Sequence, residues 1–392
     1  MNPRARSHHR SRPPQRRTLG VTLIELMVSM AIGLVLLTGL TVLFSNTSTS
    51  FRVQDAFARL QENGTAALRY LSDDIRMAGF YGESTSAASV KLDNLPSFAA
   101  AADCGAELPG PPARPYALDL AVPVEVYGEG DLTPATVSST FPCITADNFS
   151  PGSPVIVLRG ATGQVIDQPD ANGNMSAALA AQPNYDKTLY LQSSPTQDPN
   201  TIVFRGDNYA ALRDASPGNV RMLASNKDAP IFAYQVHVYY LRPCSRPTGG
   251  SAEKPVCRAD DDGGRPIPTL VRQEISSTAA TQQMQEVALV EGIERLNFSY
   301  GLDTNGDGIP DRYSAAPSAS EWPQVISVRI TALVRSIDPI MGQNDAGKRY
   351  DLGGGASFSC AGSDCTYLRQ IYSQTVQLRD CAARRSTGGL QC

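Results

Sequence analysis

Hydrophobic and polar positions divide the chain into three stretches of different period. Residues 21–44 read VTLIELMVSMAIGLVLLTGLTVLF, a run of 24 residues apolar on every face and interrupted by one acid, Glu25. That length is sufficient to span a bilayer as a helix. The pattern then becomes one-sided. Val53, Phe57, Leu60, Gly64, Leu68, Leu71, Ile75 and Ala78 recur at spacings of three and four, while Arg52, Asp55, Arg59, Glu62, Arg69 and Asp73 occupy the other faces. A long helix follows, with a membrane half over 21–44 and an amphipathic half over 45–82. Gly79 and Gly82 suit its end. Gly64 in mid-helix weakens it by up to about 1 kcal/mol relative to Ala.

Beyond Gly82 the helical period disappears. Short apolar runs over 117–127, 154–159, 187–192, 201–205, 231–241, 286–300, 325–335 and 366–378 predict strands. Val325–Arg335 alternates as a half-buried antiparallel strand does. Residues 84–115 are small and polar, then Pro-rich, and 243–268 form a Pro/Gly/Asp-rich insertion. No internal repeat is present. The expected fold class is α+β: a long N-terminal helix packed on an antiparallel β-sheet, with residues 83–392 forming one globular, β-rich domain with inserted loops.

Charge sharpens this picture at the N-terminus. The first 20 residues hold six Arg, two His and no acid, and their removal leaves 28 basic against 38 acidic residues. A mildly acidic body argues against a nucleic-acid partner, which needs a clustered basic face. The basic leader should stay cytoplasmic and direct everything after the apolar run across the membrane. Eight cysteines, Cys104, Cys143, Cys244, Cys257, Cys360, Cys365, Cys381 and Cys392, all follow the apolar run. None forms a C-x-x-C pair, and the only downstream His is His237, so disulfides in an oxidising compartment fit better than zinc. Proximity suggests 104–143, 244–257, 360–365 and 381–392, among 105 possible connectivities for eight cysteines.

The apolar run is too long for a secretory signal, and no A-x-A pattern closes it. An uncleaved anchor has no reason to carry Glu25, because a carboxylate within a bilayer costs about 2.5–3.5 kcal/mol on insertion scales. The segment Gly20-Val-Thr-Leu-Ile-Glu-Leu-Met-Val-Ser29 resembles the signal of type IV prepilins and pseudopilins. That resemblance implies removal of the leader 1–20 by a prepilin peptidase that cuts after Gly20, and methylation of the new N-terminus at Val21. It also implies that Glu25 neutralises the amine of a neighbouring subunit, a pairing favoured in low dielectric. Val21 departs mildly from the family, where Phe or Met is usual.

Leu71–Gly82 resembles the helix end of PilW-type minor pilins. Val290–Tyr300, an acidic turn and Trp322-Pro-Gln-Val325 resemble the C-terminal sheet region of PilW and of the J-type pseudopilins of type II secretion. Roughly 84–230 matches nothing recognisable. The resemblance implies a minor pilin that sits in the bacterial inner membrane, with a cytoplasmic N-terminus and a periplasmic body, before joining the type IV pilus near its tip. There it would support pilus biogenesis, adhesion and twitching motility. Its implied partners are other minor pilins, the major pilin and a PilY-type tip adhesin. A J-type pseudopilin, and a signal-anchored calcium-binding surface adhesin that never assembles, are the alternatives.

Two acidic loops carry candidate chemistry. Asp303, Asn305, Asp307 and Asp311 supply oxygens at relative positions 1, 3, 5 and 9 of an EF-hand-like loop, Gly308 falls at position 6, and Ile309 offers a carbonyl. Ser314 replaces the closing Glu, so calcium would bind weakly there. An Asp/Asn/Gly turn without metal is the plain reading of the same residues. Asp260-Asp261-Asp262 lacks ligand spacing and reads as a solvated loop. No nucleophile elbow, P-loop, zinc-protease or dinucleotide motif is present, and nothing in the sequence supports an enzyme. His237, alone in a strand, reads as structural.

Overall fold

A computed structural model describes residues 20–84, 90–91, 103–106, 115–169, 179, 181–215, 219–224, 227–251, 254–276, 283–318 and 320–378. The chain divides into two compact units, residues 1–54 and 55–392. One helix, α1 (Leu23–Met77), supplies the described part of the first unit and opens the second.

Within the first unit no described side chain is buried. Leu34, Leu37, Leu40, Leu43 and Phe44 are all exposed. The threonine side chains within this stretch of helix turn inward onto it. Thr38, Thr41, Thr47 and Thr49 each donate to the carbonyl four residues earlier, at 2.7–3.0 Å, which satisfies a hydroxyl without water. The helix is long and apolar enough to cross a membrane.

The second unit is built from sixteen described strands. β1 (Val90–Lys91), β2 (Val124–Tyr127), β3 (Val155–Asp167), β4 (Leu189–Ser193), β5 (Thr201–Arg205) and β6 (Ile231–Arg242) come first. A small hairpin, β7 (Gly249–Gly250) and β8 (Pro255–Val256), leads to β9 (Thr269–Ile275) and β10 (Met284–Glu291). The larger sheet runs β1-β5-β4-β6-β3-β2, and β9 joins the far end of β6 and carries β10. Then follow β11 (Ile293–Leu302), β12 (Arg312–Ser314), β13 (Val325–Arg335), a hairpin of β14 (Tyr350–Gly353) and β15 (Ala356–Phe358), and β16 (Arg369–Gln377). The smaller sheet is antiparallel throughout, in the order β12-β11-β13-β16.

The main core joins the second half of α1 to both sheets. Ala56, Leu60, Ala67, Leu68, Leu71 and Ile75 pack with Ile156 and Leu158 of β3, Tyr239 and Leu241 of β6, and alternate residues of β11 and β13. Asn63 donates to the Glu291 carbonyl at 2.9 Å. Arg59–Asp55 and Arg76–Asp73 pairs decorate the outer faces.

Several expectations need correction. Phe57, assigned to the apolar face, is 46% exposed, and Ala56 and Ala67 take the buried stripe with Leu60, Leu68 and Leu71. Gly64 is no mere weak point. A Cβ there would lie 2.4 Å from the Tyr372 ring of β16, so glycine allows the helix and sheet to approach closely. The run 286–300 is two strands in two different sheets, divided at Gly292. Its φ of +80° is open to glycine at little cost. From Val325 to Val334, β13 is buried on both faces except at Arg329, because the β14–β15 hairpin covers the side away from the helix, with Tyr350 and Leu352 against Leu333. The run 117–127 is a strand only from Val124, and β9 falls where no strand was expected.

Candidate assembly site and the C-terminal sheet

Gly20 and Val21 precede the first helical turn and are exposed. Glu25, in that first turn, has a local partner. Its carboxylate accepts the Thr22 amide and the Thr22 hydroxyl, both at 2.9 Å, while the Glu25 amide donates to the Thr22 hydroxyl at 3.3 Å. This reciprocal pair is a capping box that closes the free end of α1. The Thr22-Leu-Ile-Glu25 spacing carries that signal in the sequence, beside the assembly role that the prepilin resemblance implies for the acid. The two roles are compatible, since the cap holds the carboxylate beside the residue that becomes the N-terminus if the chain is cut after Gly20. From Leu26 to Phe44 the helix presents only apolar side chains and self-satisfied hydroxyls.

At the other end of α1, Asp74 anchors the helix to the larger sheet. It faces His237 Nδ1 at 2.5 Å, accepts the Tyr239 hydroxyl, and lies 3.7 Å from Arg272. Burial works to raise the Asp74 pKa. The hydrogen bonds and charges of His237, Tyr239 and Arg272 outweigh it and hold the group below the usual carboxylate range. His237 thus serves the helix–sheet junction.

The smaller sheet holds a buried ionic network that the sequence did not reveal. Arg369 of β16 grips Glu294 of β11 through two nitrogens, at 2.6 and 2.9 Å, and Asp364 at 2.6 Å. Arg335 of β13 meets Asp364 at 3.1 Å and donates to the Pro266 carbonyl at 2.6 Å. The network ties the Cys360–Cys365 loop and the end of the insertion to the sheet. Its members lie 41 and more residues from Glu294, so no local pattern marks them.

Disulfides join Cys104 to Cys143, Cys244 to Cys257 and Cys360 to Cys365. The suggested Cys381–Cys392 pair lies outside the described residues. Cys244 and Cys257 lie near Asp261, but both sulfurs are already bonded to each other. The solvated reading of the 260–262 cluster holds for Asp260, which is exposed, but not for Asp261 and Asp262. Asp261 accepts the Thr248 hydroxyl and the Thr248 and Arg258 amides, and Asp262 accepts the amides of Ser245, Arg246 and Ile267. The two acids organise the turns of the insertion.

The 303–311 loop connects β11 to β12. Asp303 is buried at its base, while Asn305, Asp307, Ile309 and Asp311 are exposed. Asp303 accepts the Gly306 and Gly308 amides at 2.6 and 3.0 Å, and Asp307 accepts the Ile309 amide at 2.8 Å. Asp311 accepts from Thr304 and Asn305. The Thr304 hydroxyl and amide hold its carboxyl below the usual range. Much of the loop's oxygen capacity therefore serves its own donors.

Two family models match this chain. Residues 15–41 match the prokaryotic N-terminal methylation motif, and residues 257–380 match the type IV pilus-assembly protein W family. The first covers the leader end, the capped turn and most of the apolar helix. The second covers β9 to β16 and the ionic network, and stops short of β1 to β6. No curated protein and no solved structure matches the chain.

Proposed function

We propose that this chain, a PilW-family type IV pilin with a prepilin-like signal, acts as a minor pilin near the pilus tip, where it supports pilus assembly, adhesion and twitching motility. The observation that carries the reading is the joint presence of two things on one helix. An apolar half, with none of its side chains buried by the chain itself, begins at a methylation motif. The other half is packed into the core of a body whose residues 257–380 match the PilW family. A helix apolar on every face needs lipid or other apolar helices around it. A prepilin meets both in turn, first in the inner membrane and then in the fibre. The role is structural and requires no catalytic group. Its partners are a prepilin peptidase, other minor pilins, the major pilin and a tip adhesin of the PilY type.

Intact-mass analysis of the mature chain tests the reading directly. A chain beginning at N-methylated Val21 is the expected result. A chain that retains residues 1–20 overturns it. Immunogold labelling is expected at pilus tips, and even labelling along shafts would remove the tip assignment while leaving assembly intact.

We also propose calcium as a weak ligand of the 303–311 loop. Three carboxylates and one amide oxygen within a single short turn are the hard donors this cation takes. Calorimetric titration of the full chain should show heat at millimolar calcium that disappears in Asp307→Ala. No heat in the wild type removes the proposal.

A further inference from the structure

The loop that joins β11 to β12 places Asn305 directly before Gly306. An asparagine Cγ is an electrophilic carbon, and bonding it to the next backbone nitrogen closes a five-membered ring. A side chain on that next residue obstructs the approach, and glycine has none. Two such pairs occur among the described residues, Asn63–Gly64 and Asn305–Gly306. The first is locked. Gly64 is buried in mid-helix, and the Asn63 side chain donates to the Glu291 carbonyl at 2.9 Å, so a ring there would break the helical ladder. The second is free to react. Asn305 is exposed, and Gly306 sits at φ +84° with open space beside its Cα.

The contacts around this pair are those that ring closure needs. The Gly306 N–H, on the attacking nitrogen, donates to the Asp303 carboxylate at 2.6 Å. Asp303 is 3% exposed, so water competes little for that position. The N–H bond lies in the peptide plane, and its bond to Asp303 leaves the faces of the nitrogen open. The attacked group is polarised from its other end. Asn305 Oδ1 accepts the Asp307 amide at 2.8 Å, a donor placed where negative charge develops as Cγ is attacked. The leaving nitrogen, Nδ2, donates to the carboxylates of Asp307 and Asp311 at 3.2 and 3.1 Å. Base, nucleophile and electrophile are thus held in one short turn, which replaces a search by a fixed arrangement.

We propose that Asn305 is a self-modifying site, which the folded loop converts to aspartate and isoaspartate without an enzyme. The Gly306 nitrogen bonds to Asn305 Cγ as its proton passes to Asp303. The Cγ–Nδ2 bond then breaks, the proton goes to the departing nitrogen, and ammonia leaves behind a succinimide. Water adds to either ring carbonyl and reopens the ring. One water is consumed and one ammonia released, with no oxidation or reduction. The aspartate product gives the loop a further carboxylate, and the isoaspartate product adds one carbon to the backbone ahead of β12. The inference is independent of the assembly role and of the calcium reading.

The full chain in phospholipid nanodiscs is incubated at neutral pH and sampled over time. Mass spectrometry then follows the tryptic peptides Leu296–Arg312 and Leu60–Arg69 against a zero-time sample, with fragmentation placing each change. A growing acid form at Asn305, with Asn63 unchanged, is the expected result. The same chain unfolded in urea, with its disulfides intact, supplies the reference rate. The folded rate at Asn305 should exceed it by about ten- to a hundredfold, the low end of what a positioned base and an oxyanion donor contribute. This comparison needs no variant, so a misfolded mutant cannot obscure it. Asp303→Asn, which removes the carboxylate facing the Gly306 amide, should bring the folded rate down toward that of the unfolded chain. A folded rate equal to or below the unfolded one would overturn the proposal. So would an undiminished folded rate in Asp303→Asn, or conversion at Asn63 that keeps pace with Asn305.

Discussion

Over residues 55–77 of α1 a continuous stripe of side chains is buried, from Ala56 to Ile75, whereas over residues 23–54 none is. Backbone geometry is shared, and the difference lies in how apolar residues are distributed around the axis. In the second stretch they form one stripe with charges opposite, so a single packing partner satisfies the helix. In the first they cover every face, and no single sheet could bury them. The comparison teaches that apolar content and folding contribution are separate properties. The most hydrophobic segment of this chain contributes nothing to the core of its body, and the less hydrophobic one organises that core.

The largest effect should separate the two stretches outright. Leu71→Ala, at a fully buried position, is expected to cost the body about 2–5 kcal/mol of stability. Leu34→Ala, 66% exposed, should shift it by less than about 0.5 kcal/mol. Urea unfolding of the full chain in nanodiscs, followed by Trp322 fluorescence, measures both. Equal losses would dissolve the comparison.

A smaller effect tests how closely the second stretch is fitted. Gly64→Ala improves intrinsic helix propensity but drives a Cβ against the Tyr372 ring, so a net loss of about 1–3 kcal/mol is expected. Combining it with Tyr372→Ala should recover part of that loss, and a double-mutant cycle reads the coupling. A stabilised Gly64→Ala would show that the approach is looser than 2.4 Å implies.

Acid sharpens the comparison further. The Asp74 pKa is lower in the folded state than in the unfolded one. Its contribution is therefore complete above the unfolded pKa and is lost as pH falls through the folded value. Stability of the body measured from pH 7 down to pH 3 should fall, and Asp74→Asn should flatten that limb while costing about 1–3 kcal/mol at pH 7. A limb that keeps its slope in Asp74→Asn would assign the acid sensitivity to other carboxylates.

The smallest effect on the body belongs to the far end of the helix. Glu25→Ala removes the carboxylate that receives the Thr22 amide and hydroxyl. It should leave unfolding of the body unchanged and reduce incorporation into pili, read by immunoblot of sheared fibres. Normal incorporation would reduce Glu25 to a helix cap.

Much of the fold was legible because it rests on local patterns. The spacing of Leu60, Leu68, Leu71 and Ile75 identifies the packed helix face, and apolar runs bounded by turn residues locate most strands. Three disulfides follow the nearest-neighbour pairing. What was not legible depends on partners distant in the chain. Gly64 looks like a helix weakness until Tyr372, more than 300 residues away, is placed over it. The run 286–300 reads as one strand because both its halves are apolar, and the change of sheet at Gly292 leaves no mark on periodicity. Asp261 and Asp262 look solvated because their partners, Ser245, Thr248 and Ile267, are brought round by the fold.

The sequence by itself therefore determined the length and sidedness of the helix, the placing of Glu25 five residues after Gly20, and the β character of the rest. Those features arise from periodicity and composition, which neighbours along the chain set. Tertiary structure alone decided which helix face meets which sheet, how Arg369, Glu294 and Asp364 find one another, and that the Tyr300 hydroxyl is buried without a hydrogen-bond partner among the described residues. Each of these depends on residues far apart in the chain coming within a few ångströms, and no local pattern encodes that distance.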